Sequence, residues 1–131
     1  MLFRSKQLNL VEDFHKKFQQ DINTDPQLIK ESDFLLRHKL LAEENNEYLE
    51  ACWKGDIVGI ADALGDQLYI ILGSILKHGL QDKMEEIFDE IQRSNMSKLG
   101  EDGNPILNNV GKITKGPKYS PPDIESILSR D

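Results

Sequence analysis

Residues 40–69 read LLAEENNEYLEACWKGDIVGIADALGDQLY, and this acid-rich stretch decides the fold. Its first half carries four glutamates, and its second half carries two aspartates within an otherwise apolar run. Helix positions three or four residues apart share a face, so these acids stack one turn apart along two helices. Like charges at that spacing destabilise an isolated helix, so we expect a positive partner, and a hard divalent cation suits carboxylate oxygens. The acids are Glu43, Glu44, Glu47, Glu50, Asp62 and Asp66.

A Lys-Gly-Asp sequence at 54–56 divides this stretch into two helices. A cation in the last turn followed by glycine is typical of a helix C-terminus, and aspartate is typical of the next N-cap. The pattern predicts helices over 30–54 and 56–78, with Ser32 or Asp33 as the cap of the first. The second of these helices is apolar nearly all round, so we expect it to be central and buried.

Three further helices are predicted from apolar periodicity, over 8–20, over 81–93 and in a short segment from Pro122. A lone histidine in the first of them, His15, is predicted to lie on the surface. The segment after the fourth helix is rich in Gly, Pro, Asn and Lys, and within it 106–114 is a candidate hairpin or extended arm. Short connections favour a small all-α bundle of four to five helices. The apolar third helix further favours an oligomer that buries part of it.

Length, charge and cysteine content bound the class of protein. With 131 residues we predict a single domain over 1–131, with a helical core at 8–93 and an irregular Lys/Gly/Pro-rich arm at 94–131. The formal net charge of −7 argues against stable nucleic-acid binding, which needs basic surface. The single cysteine, Cys52, allows no internal disulfide and is predicted to be a packed, reduced thiol. Neither a signal peptide nor an apolar run of ~18 residues is visible, so we expect a cytoplasmic protein with no membrane partner.

The two aspartates need a partner if their helix is buried, because a carboxylate is rarely buried unless it is paired or binds a metal. Glu44 and Glu47 on the preceding helix have metal-ligand spacing, and two facing helices with such pairs can form a cage for Mg²⁺. Magnesium in such a cage keeps several waters and accepts substrate phosphates. The alternatives are an ordinary solvated helix face and compensation by Arg37 and lysines from elsewhere.

Lysines of the arm supply the opposite charge. Lys98, Lys112, Lys115 and Lys118 follow the helical core, and lysine is a flexible point charge suited to phosphate. Taken alone they are ordinary surface lysines, but beside an acid cage they favour a phosphate-gripping arm. The predicted substrate-binding side chains are Arg37, Asn95, Lys98, Lys112, Lys115 and Tyr119. A P-loop, a Rossmann loop, zinc-ligand spacing and a nucleophile elbow are all missing from the sequence.

These motifs resemble a known group. The sequence EENNE at 43–47 is similar to the EExxE signature of the all-α NTP pyrophosphohydrolases, which include MazG-like proteins, dimeric dUTPases and phosphoribosyl-ATP pyrophosphohydrolases. The sequence ADALGDQLYIILG at 61–73 looks like their second metal-binding helix. The segments FHKKF, RSNMSKL and GKITKGPKYSPPDI resemble a bacterial and phage branch labelled phosphoribosyl-ATP pyrophosphohydrolase-like. The resemblance spans about residues 10–128.

The resemblance implies a homodimeric or homotetrameric bundle that binds Mg²⁺, with Mn²⁺ as a substitute. Water would attack the α-phosphorus of a nucleotide, and pyrophosphate would leave to give a nucleoside monophosphate. One position departs from the family pattern, since the Glu of its ExxD motif falls at Ala63, and Asp62 must then substitute for it or one metal site is weakened. The implied metal ligands are Glu44, Glu47, Asp62 and Asp66, and the implied catalytic residues are Glu43 and Glu47.

Three functions follow as hypotheses. The first is a Mg²⁺-dependent nucleoside triphosphate pyrophosphohydrolase that cleaves between the α- and β-phosphates. The second is a phosphoribosyl-ATP pyrophosphohydrolase. The third is a non-catalytic nucleotide-binding module whose metal site has degraded at Ala63.

Overall fold

The computed structural model describes residues 6–130, and within them the chain forms five α-helices and no β-strand. A lone antiparallel bridge joins Leu107 and Ile113. The predicted all-α class is therefore confirmed. The helices are α1 (Lys6–Lys17), α2 (Glu31–Lys54), α3 (Ile57–Lys77), α4 (Met84–Met96) and α5 (Ile124–Leu128).

The chain divides into two compact units at Asp82. The first unit contains α1, α2 and α3, and the second begins at Lys83 and contains α4, the arm and α5. The helix α4 thus groups with the arm rather than with the three helices before it. The single domain over residues 1–131 stays a prediction.

The turn between α2 and α3 forms as the sequence predicts. Gly55 has a left-handed φ of 66° and follows the last residue of α2, where most side chains would be strained. The Asp56 side chain accepts a hydrogen bond of 3.0 Å from the backbone N–H of Gly59 and so caps α3. The predicted cap of α2 is wrong, because the helix begins at Glu31 after Lys30, which makes no capping side-chain bond.

The core of the first unit lies where α1 and α2 pack against α3. Leu8 and Val11 of α1 and Leu76 of α3 are at most 2% exposed. His15 is also buried, at 4% exposure, so the predicted surface position is wrong. The reason is helical geometry, since His15 lies four residues after Val11 and seven after Leu8 and thus shares their buried face.

The predicted burial of α3 all round is wrong for this single chain. Apart from Ala63, its buried residues lie near its C-terminal end, between Leu72 and Leu76, and only 17% of its most apolar stretch of 18 residues is buried. By length and composition alone α3 is also apolar enough to cross a membrane, a weak indication that core helices of soluble proteins share. Cys52 is exposed too, so the predicted packed thiol is wrong. The exposed apolar side chains of α3 are Ile57, Val58, Leu64, Leu68, Tyr69 and Ile71.

The second unit is held by bonds from α4 to the end of the arm. Arg93 donates to both carboxylate oxygens of Glu90, at 2.7 and 2.9 Å, and to the carbonyl of Pro121. Glu90 also accepts the backbone N–H of Asp123 at 2.7 Å. The hydrogen bonds from Arg93, and next the one from Asp123, lower the pKa of Glu90 to about 2. This ion pair therefore fixes the start of α5 against α4.

Candidate functional site

The register of α2 against α3 decides which acids face each other. A Cβ placed on Gly59 would lie 3.1 Å from the Cβ of Ala51, and one placed on Gly73 would lie 2.5 Å from a terminal nitrogen of Arg37. The two helices are antiparallel neighbours on either side of a tight turn. Counting back along α2 from Ala51 and forward along α3 from Gly59 by the same number of residues brings Glu44 opposite Asp66. The same step brings Glu47 opposite position 63, where the chain has alanine.

Glu44 is the centre of a carboxylate cluster in the first unit. Its side chain is half-buried, and its Oε2 atom is buried with no hydrogen-bond partner. Burial, then a side-chain hydrogen bond with Glu47, then the charges of Asp66, Glu47 and Asp62 raise the pKa of Glu44 to about 7. The charges of the other three predicted metal ligands therefore all act on Glu44, and these four residues, Glu44, Glu47, Asp62 and Asp66, form the carboxylate cluster.

The predicted base Glu43 lies outside these interactions. It is exposed on α2, and it is not among the groups that shift the pKa of Glu44. Its neighbour in the cluster, Glu47, is exposed and bonded to Glu44, so Glu47 is the better placed of the two predicted catalytic residues. The role of Glu43 stays a prediction.

The carboxylate cluster fits an oxygen-preferring divalent ion. Across residues 6–130, no group of three His, Cys, Asp or Glu side chains converges into a ready-made ligand set. Magnesium does not need one, because it is usually held by one or two carboxylates and keeps several of its waters. The buried oxygen of Glu44 without a partner costs free energy, and a cation is the partner that would satisfy it without protonation.

Arg37 and His15 form a second buried polar group in the first unit. Arg37 donates to the Ser74 hydroxyl at 3.0 Å and to the Ile70 carbonyl at 2.5 Å, which ties α2 to α3. Burial, then the charges of Arg37 and Lys77, lower the pKa of His15 and so disfavour the charged form of this imidazole. Arg37 thus has a packing role that its sequence position did not reveal, and its predicted contact with substrate stays a prediction.

The lysines of the arm meet in the second unit. Lys98, Lys112 and Lys115 line one cavity of about 370 Å³, and the Lys115 ammonium lies 4.8 Å from the centre of the Tyr119 ring. Asn95 is exposed on α4 and does not line this cavity. Sequence reasoning missed three further lining residues, and the signal for them was the candidate hairpin itself. These are Asn108, Ile113 and Thr114.

Comparison with known proteins finds one family model that matches more than half of the chain. The family model described as phosphoribosyl-ATP pyrophosphohydrolase matches residues 11–95, which include the whole carboxylate cluster and end before the lysine cavity. No curated protein matches the chain. A crystal structure from Exiguobacterium sp. 255-15, titled a "putative NTP pyrophosphohydrolase", is 25% identical, with a TM-score of 0.48. That match covers 94% of this chain and 92% of the other.

Proposed function

The chain belongs to the phosphoribosyl-ATP pyrophosphohydrolase family and is a nucleotide pyrophosphohydrolase, and we propose that it is a Mg²⁺-dependent enzyme that cleaves nucleoside triphosphates between the α- and β-phosphates. The observation that carries the proposal is the buried Glu44 oxygen, which has no partner and lies within a cluster of four carboxylates. Such a cluster is costly for the fold and is explained by a cation that it binds. The family match favours an enzyme over the non-catalytic nucleotide-binding module, because the family is one of pyrophosphohydrolases.

Glu44, Glu47, Asp62 and Asp66 would hold the ion. When bound, Mg²⁺ would neutralise phosphate charge and lower the pKa of the attacking water. The register leaves Ala63 opposite Glu47, so Glu47 has no facing carboxylate and is free to bind the ion or to orient water. We propose Asp62, one of the charges that act on Glu44, as the substitute for the family Glu at position 63.

The reaction needs one proton acceptor and one stabilised leaving group. A carboxylate of Glu43 or Glu47 would accept the proton of water as its oxygen bonds to the α-phosphorus. The bond from that phosphorus to the bridging oxygen then breaks, and pyrophosphate leaves with the electron pair. Cations of the protein would stabilise the charge on pyrophosphate. In the first unit the predicted substrate-binding cation is Arg37, and we assign that task to it.

Phosphoribosyl-ATP is a second candidate substrate, because the matching family carries that name. It contains the same α,β-anhydride, so the same cluster could act on it. Growth of a phosphoribosyl-ATP pyrophosphohydrolase-deficient histidine auxotroph that expresses this chain would support it. A lack of growth with soluble, NTP-cleaving protein would exclude it.

The exposed apolar face of α3 supports a homodimer or homotetramer. Tyr69, at 42% exposure, lies one turn from the cluster residue Asp66, and Leu68, at 63% exposure, precedes it on the same helix. A second copy that covers them would remove apolar area from water and dehydrate the rim of the site. Light scattering would show at least two copies per particle, and a monomer at assay concentration would contradict this assembly. Cytoplasmic location stays a prediction.

Pyrophosphate release tests the proposed activity. Purified protein is incubated with each common NTP and dNTP with Mg²⁺, with Mn²⁺ or with EDTA. We expect release from at least one substrate, and release that depends on the ion. The Glu47→Gln variant should lose about 10²-fold or more in kcat, in line with loss of a proton acceptor or ligand. Glu50→Gln is the matched control, because Glu50 is exposed on the same helix outside the cluster. Equal activity in both variants would show that the cluster is not the catalytic site.

A further inference from the structure

The arm builds a rigid basic hairpin. The backbone N–H of Asn108 donates to the Lys112 carbonyl at 2.9 Å, and the N–H of Thr114 donates to the Ile106 carbonyl at 2.8 Å. The Asn108 side-chain oxygen accepts from the N–H groups of Val110 and Lys112, at 3.0 and 2.9 Å. These bonds fix the backbone of Lys112 at the turn. The lysine is therefore presented by an ordered loop.

The irregular segment that follows the hairpin is held against the end of α4. The N–H of Gly116 donates to the Lys98 carbonyl at 2.9 Å. Only glycine fits there, because a Cβ at position 116 would contact the backbone oxygen of Leu99. This contact brings Lys98 and Lys115 to the same cavity although they are far apart in sequence. The pocket is thus assembled entirely from residues of the second unit.

The charge of the pocket is uncompensated in the described part of the chain. Lys98, Lys112 and Lys115 form no ion pair there, although exposed lysines elsewhere pair with nearby acids. The Asn108 amide nitrogen also donates no hydrogen bond among the described residues, since the side-chain bonds of Asn108 to the turn are accepted by its oxygen. Three ammonium groups and a free amide donor suit an anion with several charged oxygens. The cavity of about 370 Å³ falls within the size of small-molecule sites, about 300–1,000 Å³.

We propose that this lysine pocket, lined by Lys98, Asn108, Lys112 and Lys115, binds a pyrophosphate group without the help of a divalent ion. The pocket is built by residues 98–115 and so lies outside the part of the chain that the family model matches, which ends at residue 95. The choice of pyrophosphate as the anion rests on the proposed function, because that reaction forms pyrophosphate. The charge and the geometry of the pocket do not depend on it.

Calorimetry on the full chain tests the pocket. Sodium pyrophosphate is titrated into the protein in EDTA at low ionic strength, where exposed charges are least screened. We expect binding that weakens about tenfold in Lys112→Glu, because one of three cations is reversed. Lys118→Glu is the matched control, since it makes the same charge change at an exposed lysine that does not line the pocket. Amide NMR shifts on titration should concentrate at the four pocket residues.

Several outcomes would contradict the proposal that the lysine pocket binds pyrophosphate. They are no binding by the unmodified chain, equal weakening in both lysine variants, and binding of a non-hydrolysable NTP but not of pyrophosphate. Inorganic phosphate should bind at least several-fold more weakly, and equal affinity would refute a site for two phosphoryl groups. The Glu47→Gln variant should keep pyrophosphate affinity while it loses turnover. If the unmodified chain binds pyrophosphate but hydrolyses no NTP, the proposed activity is wrong and the proposed pocket is supported. If it hydrolyses an NTP but does not bind pyrophosphate, the pocket is wrong and the activity is supported.

Discussion

Glu44 in the first unit and Glu90 in the second are both glutamates on helices, yet their surroundings push their pKa values in opposite directions. Glu44 meets carboxylates, and its pKa rises to about 7. Glu90 meets Arg93 one turn along its own helix, and its pKa falls to about 2. The difference separates a carboxylate that stabilises the fold from one that the fold holds at a cost.

That cost is typical of a binding site. A protein that only needed a stable α2–α3 pair would place a cation or an apolar residue opposite Asp66, as Arg37 already stands opposite Gly73. Instead Glu44 and Asp66 face each other, and Asp62 and Glu47 add two more negative charges. The second unit, by contrast, pairs Glu90 with Arg93 and Glu86 with Arg130, and three of its lysines line the lysine pocket.

Adding a fifth carboxylate to the cluster should have the largest effect on stability, because it increases the repulsion among the acids of the first unit. Ala63→Glu restores the family residue, but position 63 is 1% exposed and faces Glu47 across the helix pair. A charge introduced there without a partner should lower the free energy of unfolding by about 3 kcal/mol in EDTA. Because Mg²⁺ would then gain a ligand, it should restore more stability to the variant than to the parent chain.

Urea unfolding with and without Mg²⁺ measures both effects of Ala63→Glu. The matched control is Ala61→Glu, which adds the same charge to an exposed position of α3. We expect the control to change the unfolding free energy by less than about 0.5 kcal/mol. Equal stabilisation of both variants by Mg²⁺ would show that position 63 does not reach the ion.

Much of the fold follows from local sequence signals. The turn at Gly55 and the cap at Asp56 depend on residues next to each other in sequence, so all the needed information is local. The predicted surface position of His15 is wrong because its spacing from Val11, and not its polarity, decides its burial. The burial of α3 was placed wrongly because an apolar composition does not say whether the same chain or another copy covers it.

The residues of the candidate site could be predicted from the sequence more easily than the contacts between them. The spacing of Glu44, Glu47 and Asp66 was sufficient to group them, because they lie on two helices joined by a tight turn. The opposition of Glu47 to Ala63 needed the register, which depends on contacts between residues far apart in sequence. The gathering of Lys98 with Lys115 likewise depends on a backbone bond to Gly116 that no spacing rule predicts.

Removing the charge of Glu44 should stabilise the chain while it disables the site. A folded-state pKa of about 7, above the ordinary 4.5, means that this carboxyl favours folding below pH 4.5 and that the contribution is lost as the pH rises through 7. Glutamine cannot ionise, so in EDTA Glu44→Gln should melt at a higher temperature than the parent at pH 8 and at nearly the same temperature at pH 4.5.

Thermal melts of Glu44→Gln at these two pH values measure the difference, with Glu50→Gln as the control for loss of one exposed negative charge. Addition of Mg²⁺ at pH 8 should reduce the advantage of Glu44→Gln, because the parent binds the ion more tightly. An advantage that is as large at pH 4.5 as at pH 8 would mean that Glu44 is not strained by its neighbours.

The smallest effect concerns the paired glutamate of the second unit. Because the pKa of Glu90 is depressed to about 2, its contribution to stability is present above pH 4.5 and is lost as the pH falls through 2. Arg93 is exposed and Glu90 is half-buried, so Arg93→Gln should lower the melting temperature only slightly at pH 7 and hardly at all at pH 2. Its clearer signature is the ¹³C shift of the Glu90 carboxyl carbon, whose titration midpoint should rise toward 4.5. Arg130→Gln removes an arginine that pairs with Glu86 instead, so it should leave that midpoint near 2. If Arg130→Gln raised the Glu90 midpoint as far as Arg93→Gln does, the low pKa would result from the summed charge of the second unit and not from the two hydrogen bonds of Arg93. The difference between Glu90 and Glu44 would then be one of net charge alone.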